Sequence, residues 1–370
     1  VTHMVWLRVG SADETPGQSG KAHFLEHMMF KGTTAAKPGE FSRTVRALGG
    51  NDNAFTAYDY TAYFETIARE HLEKMMALDA DRLQNLNPPP VDYASEHKVI
   101  MEERRERTDN DPSAALMEQM KAVLFINHPY GNPVIGWMHE IENLQWAQLK
   151  PFYDQYYAPN NALVVIAGDV TVEDVKPLAE KIYGTWPRRD VPERTWRAVP
   201  PLPAPAHLTL RHKDVRQPAF IRLYRAPSAR ADKTAAFALD VLQDIMDGGA
   251  ATRLYQALVV RGKLATGVGF SYDGVAWDEG TLTLSATPAP GVTLETLEKA
   301  LDAELALLVK DGVTDAEIAE SKARLKDAAA FARDSLTGPA MVVGRGLISG
   351  LTLDDLEYWP RTVDSVLKSD

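Results

Sequence analysis

Cysteine is absent from the 370 residues, which excludes disulfides, thiolate metal ligands and cysteine nucleophiles. The absence suits a reducing or an oxidising compartment and does not choose between them. No run approaches the ~20 apolar residues with which a helix spans a bilayer. Positive charge is in deficit: 40 Lys and Arg stand against 51 Asp and Glu, a formal charge of −11. Such a chain is a poor match for a nucleic-acid backbone, which selects clustered Lys and Arg. An initiator methionine and a leader peptide are also missing. The chain opens inside a strand-like segment and stops at Leu367-Lys368-Ser369-Asp370 without a terminating element. It therefore reads as the ordered or mature part of a longer chain.

What is present is an ordinary globular supply, 45% hydrophobic and 25% charged, in a length that suits about two domains. Residues 186–206 read WPRRDVPERTWRAVPPLPAPA and hold six prolines. Proline fixes φ and removes a backbone donor, so the stretch predicts an extended linker. The expected organisation is a domain over 1–186, a linker over 187–206 and a second domain over 207–370. In the first half, strands are expected at 2–8, 53–67 and 162–167, and helices at 20–30, 41–48, 71–86 and 91–107, with Thr171 capping another. The second half repeats this grammar. Its strands are expected at 208–211, 219–224, 267–272 and 281–287, and its helices at 234–246, 253–260, 294–309 and 315–333. Gly344-Arg345-Gly346 reads as a turn. The mixture predicts an α+β protein with largely antiparallel sheets packed by helices.

One five-residue run carries chemistry: His23-Phe24-Leu25-Glu26-His27. Positions i and i+4 share a helix face, so both imidazoles can approach one cation. Glu26 projects beside them, able to orient or deprotonate a water. A catalytic zinc takes three protein ligands and keeps one position open. The helix expected over 91–107 offers a third ligand, because Glu96 and Glu103 are seven residues apart, two turns along one face. Glu102 points about 100° away from Glu103. One carboxylate can ligate while the other hydrogen-bonds a ligating histidine from one layer further out. A solvated charged face, with His97, Lys98, Arg104, Arg105 and Arg107 around it, is the competing reading of the same residues.

The run Gly10-Ser11-Ala12-Asp13-Glu14, followed by Gly17, Gly20 and Ala22-His23-Phe24-Leu25-Glu26-His27-Met28-Met29-Phe30-Lys31-Gly32-Thr33, resembles the pitrilysin-type inverted zincin (HxxEH) metallopeptidases. The bacterial relatives of the mitochondrial processing peptidase look most similar. Gly49-Gly50-Asn51-Asp52-Asn53-Ala54-Phe55-Thr56 resembles that family's substrate-pairing segment. Glu103 lies 76 residues after His27, the family's spacing for its third ligand. The resemblance implies two structurally similar α+β domains enclosing a cavity, and one Zn²⁺ per chain on His23, His27 and Glu103. It makes Glu26 the general base and Glu96 the acid behind the ligands. It gives Asn53, Ala54 and Phe55 contact with a peptide added as a strand.

The second half departs from the family. Members that act alone carry an Arg and a Tyr seven residues apart, which hold the substrate carbonyl and its developing oxyanion. Here an ungapped alignment puts Val259 and Thr266 at those positions, with Arg261 and Tyr272 nearby but out of step. The implied function is a zinc endopeptidase that cleaves unfolded peptides by metal-activated water, as the catalytic subunit of a heterodimer. A sister subunit would supply the Arg/Tyr pair. The alternatives are a homodimer or monomer using other donors such as Arg261 or Tyr272, a non-catalytic scaffold subunit of the same fold, and a metal-dependent hydrolase of small molecules. Bacterial relatives with this N-terminal pattern are often periplasmic, so an exported location is expected.

Overall fold

The computed structural model describes residues 1–370. Its first strand, β1 (Thr2–Leu7), is buried along its whole length because it is central in a four-stranded antiparallel sheet of order β2-β3-β1-β4. The other strands are β2 (Asn51–Thr56), β3 (Thr61–Thr66) and β4 (Ala162–Ala167). The strand signal over 53–67 thus resolves into a hairpin. Its turn at 57–60 is closed by Ala57 N–H donating to Tyr60 O at 2.8 Å.

Side chains alternate across β1 with period two. Val5 and Leu7 pack with Phe24, Leu25, Met28 and Tyr63 in the main core, while Met4 and Trp6 point to the opposite face. The main core is closed by α1 (Lys21–Met28), while α2 (Glu40–Ala47) packs Phe41 and Val45 in a smaller cluster with Ile67 and Met75. Helices α3 (Leu72–Asn85) and α4 (Pro90–Arg104) add to the main core and are followed by α5 (Pro112–Leu124), α6 (Met138–Ile141) and α7 (Trp146–Tyr156). After β4 comes α8 (Val172–Tyr183), whose capping box joins Thr171 and Asp174 as the sequence predicts.

The second half contains β5 (Phe220–Pro227), α9 (Lys233–Asp247), β6 (Ala265–Asp273), β7 (Glu279–Pro288), α10 (Leu294–Asp311) and α11 (Asp315–Ala332). Its antiparallel sheet has order β5-β7-β6, with a core built on Leu254, Leu258, Phe270, Leu284, Leu297 and Leu301. Two local expectations change here. Residues 208–211 form no strand and lie exposed, because no partner strand supplies a ladder for their backbone. The helix expected over 253–260 is present but is wound as a π-helix over Tyr255–Arg261.

The chain ends with α12 (Gly338–Ile348), α13 (Leu353–Glu357) and α14 (Trp359–Ser365). Gly344-Arg345-Gly346 is therefore helical, not a turn. Glycine is required for close approach: a Cβ on Gly344 would stand 2.1 Å from the Trp6 indole. α12 covers the face of the first sheet that carries Met4 and Trp6.

Two compact units result, Val1–Thr209 with Ser335–Ile348, and Leu210–Asp334 with Ser349–Asp370. This division differs from the sequence expectation in two ways. The proline-rich segment is part of the first unit: Arg194 pairs with the Asp13 carboxylate at 2.7 Å, and Trp196 packs edge-on to Tyr130 and His128. Residues 335–348 also return to the first unit, because Trp6 and Met4 offer an apolar face that α12 covers.

A buried ionic group had no sequence signal. His3 Nδ1 meets Glu65 Oε1 at 2.7 Å and Asp79 Oδ2 at 3.1 Å, and its Nε2 meets the Tyr183 hydroxyl at 2.9 Å. Arg82 binds Asp79 and stacks on Phe41. Two carboxylates, one guanidinium and a protonated imidazole balance in charge. Burial alone would strip the His3 proton, but Glu65 and Asp79 outweigh it and raise the pKa to about 10. A raised folded-state pKa gives stability that is complete below the ordinary value of ~6.5 and is lost as pH rises through about 10. Between pH 7 and 10 the unfolding free energy is expected to fall steadily as this group loses its proton. Urea titrations of the wild type and of His3→Asn should differ by that slope; parallel pH profiles would refute the assignment.

Candidate metal centre

Helix α1 is built to present polar groups on one side. Phe24, Leu25 and Met28 are buried against the sheet, which turns His23, Glu26 and His27 to the opposite side. Its first turn has no acidic residue of its own, and its N-cap, Gly20, is left-handed at φ 91°. The unpaired N–H groups of a helix start need acceptors, and Glu14 supplies them: its carboxylate accepts from Gly20 N at 2.8 Å and Ala22 N at 2.7 Å. Helix α4 is registered against α1 by the Phe24 ring, which stacks on Tyr93 and His97 at centroid distances of 5.0 and 5.6 Å.

That register brings the sequence-nominated groups together. Glu103 Oε2 lies 3.2 Å from His27 Nε2 and 3.7 Å from His23 Nε2. Ligand atoms of these three residues all fall within 4.8 Å of one another. Two turns earlier on α4, Glu96 Oε1 contacts His27 Nδ1 at 2.8 Å, while its other oxygen holds Lys31 Nζ at 2.5 Å. Arg107 Nε forms an ion pair with Glu103 Oε1 at 3.1 Å. Glu102 points away, exposed and paired with Arg105. Glu26 lies beside the histidines, with Thr56 Oγ1 donating to its Oε2 at 2.5 Å.

Burial opposes a charge on His27, but its bonds to Glu103 and Glu96 hold the pKa up, at about 9. Neighbouring His23 is pushed down to about 4 by burial and by the His27 charge. The bond from His27 keeps Glu103 below the ordinary carboxylate range. Burial raises Glu26 against the Thr56 bond. The positive charge thus favours His27, beside the Glu103 carboxylate, in a place a cation can take. Two imidazole nitrogens and one carboxylate oxygen are a donor set suited to zinc, so the residues fit the metal that the sequence implies.

These groups line a cavity of about 790 Å³ in the first unit, together with the β2 segment Asn53–Thr56 and Ala114 and Met117 of α5. β2 is an edge strand. Asn53 is exposed and its Oδ1 accepts from Ala54 N–H; Ala54 packs toward the main core. The Phe55 ring turns to the other face and packs edge-on to Trp6 at 5.3 Å. Thr56, which the sequence reading left without a role, shares the Ala54 face by strand alternation.

In the second unit, Val259 packs against the core and Thr266 is exposed at a β-bulge. Tyr272 is buried, and its hydroxyl donates to Pro227 O at 2.5 Å.

Residues 1–137 match the family model described as insulinase (peptidase family M16), and residues 143–325 match the peptidase M16 inactive domain. The zinc protease PqqE of Helicobacter pylori is 34% identical over 329 residues, which cover 87% of this chain and 72% of that protein. This chain belongs to peptidase family M16. The crystal structure of a protease from Helicobacter pylori superposes on this M16 chain with a TM-score of 0.87 at 30% identity, covering all of it and 89% of that chain. The periplasmic protease PqqL of Escherichia coli shares the fold, with a TM-score of 0.82 at 21% identity, over all of this chain and 42% of its own. The α+β expectation is met by these M16 folds and by the two antiparallel sheets.

Proposed function

We propose that this M16 chain is a zinc endopeptidase for unfolded peptides and the catalytic subunit of a two-subunit enzyme. The observation that carries the reading is the meeting of His23 Nε2, His27 Nε2 and Glu103 Oε2 beside Glu26, at the edge of β2. His23, His27 and Glu103 hold one zinc. Glu96 orients His27 through Nδ1, which leaves Nε2 for the metal. Bound zinc supplies Lewis acidity, which polarises a carbonyl and makes water acidic enough to lose a proton near neutral pH.

The other steps belong to side chains and backbone of the chain. A peptide pairs with the open edge of β2 through main-chain hydrogen bonds, with Asn53, Ala54 and Phe55 along the contact. Glu26 takes the proton of the attacking water on its Oε1 and returns it to the leaving amine. The second unit contributes no Arg/Tyr pair, since Val259 and Thr266 stand there, so a sister subunit supplies the oxyanion donors. The catalytic reading is favoured over a scaffold because all three ligands and the base are kept together. Export belongs to the same reading, supported by the description of the Escherichia coli neighbour as periplasmic. No helix is long and apolar enough to cross a membrane.

Metal analysis tests the centre. The purified chain is expected to bind about one zinc per molecule, and Glu96→Ala to weaken that affinity about 10–100-fold. A chain that neither carries zinc nor takes it up after chelation refutes the proposal.

A further inference from the structure

The open strand edge and the base meet at a side chain that the steps above do not use. The Thr56 hydroxyl donates to Glu26 Oε2, and no other hydrogen bond reaches that carboxylate. Glu26 is a long, half-buried side chain, and such a group has several rotamers to lose when it is ordered. Threonine is its opposite: branching at Cβ restricts χ1, so its hydroxyl is a stiff donor.

Thr56 also stands at the anchored end of its hairpin. Thr61, its partner in register, donates to Val9 O at 2.9 Å. The next two carbonyls, of Ala57 and Tyr58, accept from Ser11 and Ala12 N–H at 3.1 and 2.9 Å. At the far end of β2, Asn51 and Asn53 are exposed. The hydroxyl is therefore mounted where the strand is held, and it engages one carboxylate oxygen while Oε1 stays open for proton transfer.

We infer that Thr56 is a positioning residue for Glu26, whose hydroxyl fixes the base to the strand on which the peptide pairs. The inference rests on the peptidase reading, in which Glu26 is the base.

The test compares Thr56→Val, which keeps the shape and removes the donor, with Thr56→Ser, which keeps the donor. With zinc bound and the partner subunit present where activity requires it, Thr56→Val is expected to lower kcat between about tenfold and a hundredfold, as a misplaced reacting group does. KM, zinc content and melting temperature should stay near wild type, and Thr56→Ser should restore most of kcat. An unchanged kcat in Thr56→Val overturns the inference. So does a Thr56→Ser variant as slow as Thr56→Val, because packing of the methyl group would then explain the effect. Crystal structures of the zinc-loaded wild type and Thr56→Val give a readout independent of turnover. Several Glu26 rotamers in the variant against one in the wild type support the positioning role, and a single unchanged rotamer in both overturns it. A wild-type chain inactive on every peptide strikes the peptidase reading alone, and the crystallographic comparison still decides the role of Thr56.

Discussion

Replacing Glu26 by glutamine is expected to abolish peptide hydrolysis while zinc stays bound. The substitution is nearly isosteric and keeps an oxygen for the Thr56 hydroxyl, so the site should retain its shape. What it removes is the ability to accept a proton, because an amide oxygen is a far weaker base than a carboxylate. General-base catalysis contributes about 10²–10⁴-fold, and the loss should be at the upper end because the structure puts no other carboxylate in place to act. Glu103 is engaged by both histidines and Arg107, and Glu96 by His27 and Lys31. Zinc content measured on the same preparation separates lost chemistry from lost metal. Turnover within a few-fold of wild type would exclude Glu26 as the base.

The second large effect concerns the partner. The isolated chain is expected to be a poor peptidase, and mixing with a sister chain that carries Arg and Tyr seven residues apart should raise kcat steeply. Oxyanion donors are commonly worth about 10²–10³-fold each. Val259 packs in a core and Thr266 offers only a short hydroxyl on an exposed bulge, while the Tyr272 hydroxyl is committed to Pro227. The nearby cations, Arg261 and Lys263, are in step with neither position. The sister should show the reverse pattern, a broken H-x-x-E-H with the Arg/Tyr pair intact. Stopped-time assays on an unstructured peptide, with the chain alone and with increasing sister subunit, decide the matter. Full turnover by the chain alone refutes the division of labour.

Much of the candidate site is legible from the chain because its chemistry is local. His23, Glu26 and His27 lie on one helical turn, and the i, i+4 rule places both imidazoles together without knowledge of the fold. Glu96 and Glu103 are likewise two turns apart on a single helix. The expected absence of the Arg/Tyr pair is also a matter of residue identity at two positions. Strand alternation and proline content reach less far, since they place elements without saying what covers them.

Contacts between remote residues belong to the tertiary structure. Thr56 stands 30 residues from Glu26, and only the β2–β3 hairpin folded against α1 brings its hydroxyl to the carboxylate. Glu14 caps α1 from the preceding loop, where nothing in its spacing matches a capping box. His3, Glu65, Asp79 and Arg82 look like scattered surface charges in sequence, yet the antiparallel register that sets His3 opposite Glu65 buries them as one group. The glycines of α12 read as a turn because local propensity disfavours glycine in helices, by about 1 kcal/mol each. The Trp6 indole reverses that preference, since only a residue without Cβ lets the helix approach it. Helical spacing and residue chemistry therefore bring the candidate ligands to one face from the chain alone. The setting of that face depends on packing between segments far apart in sequence, and no local pattern encodes which of them meet.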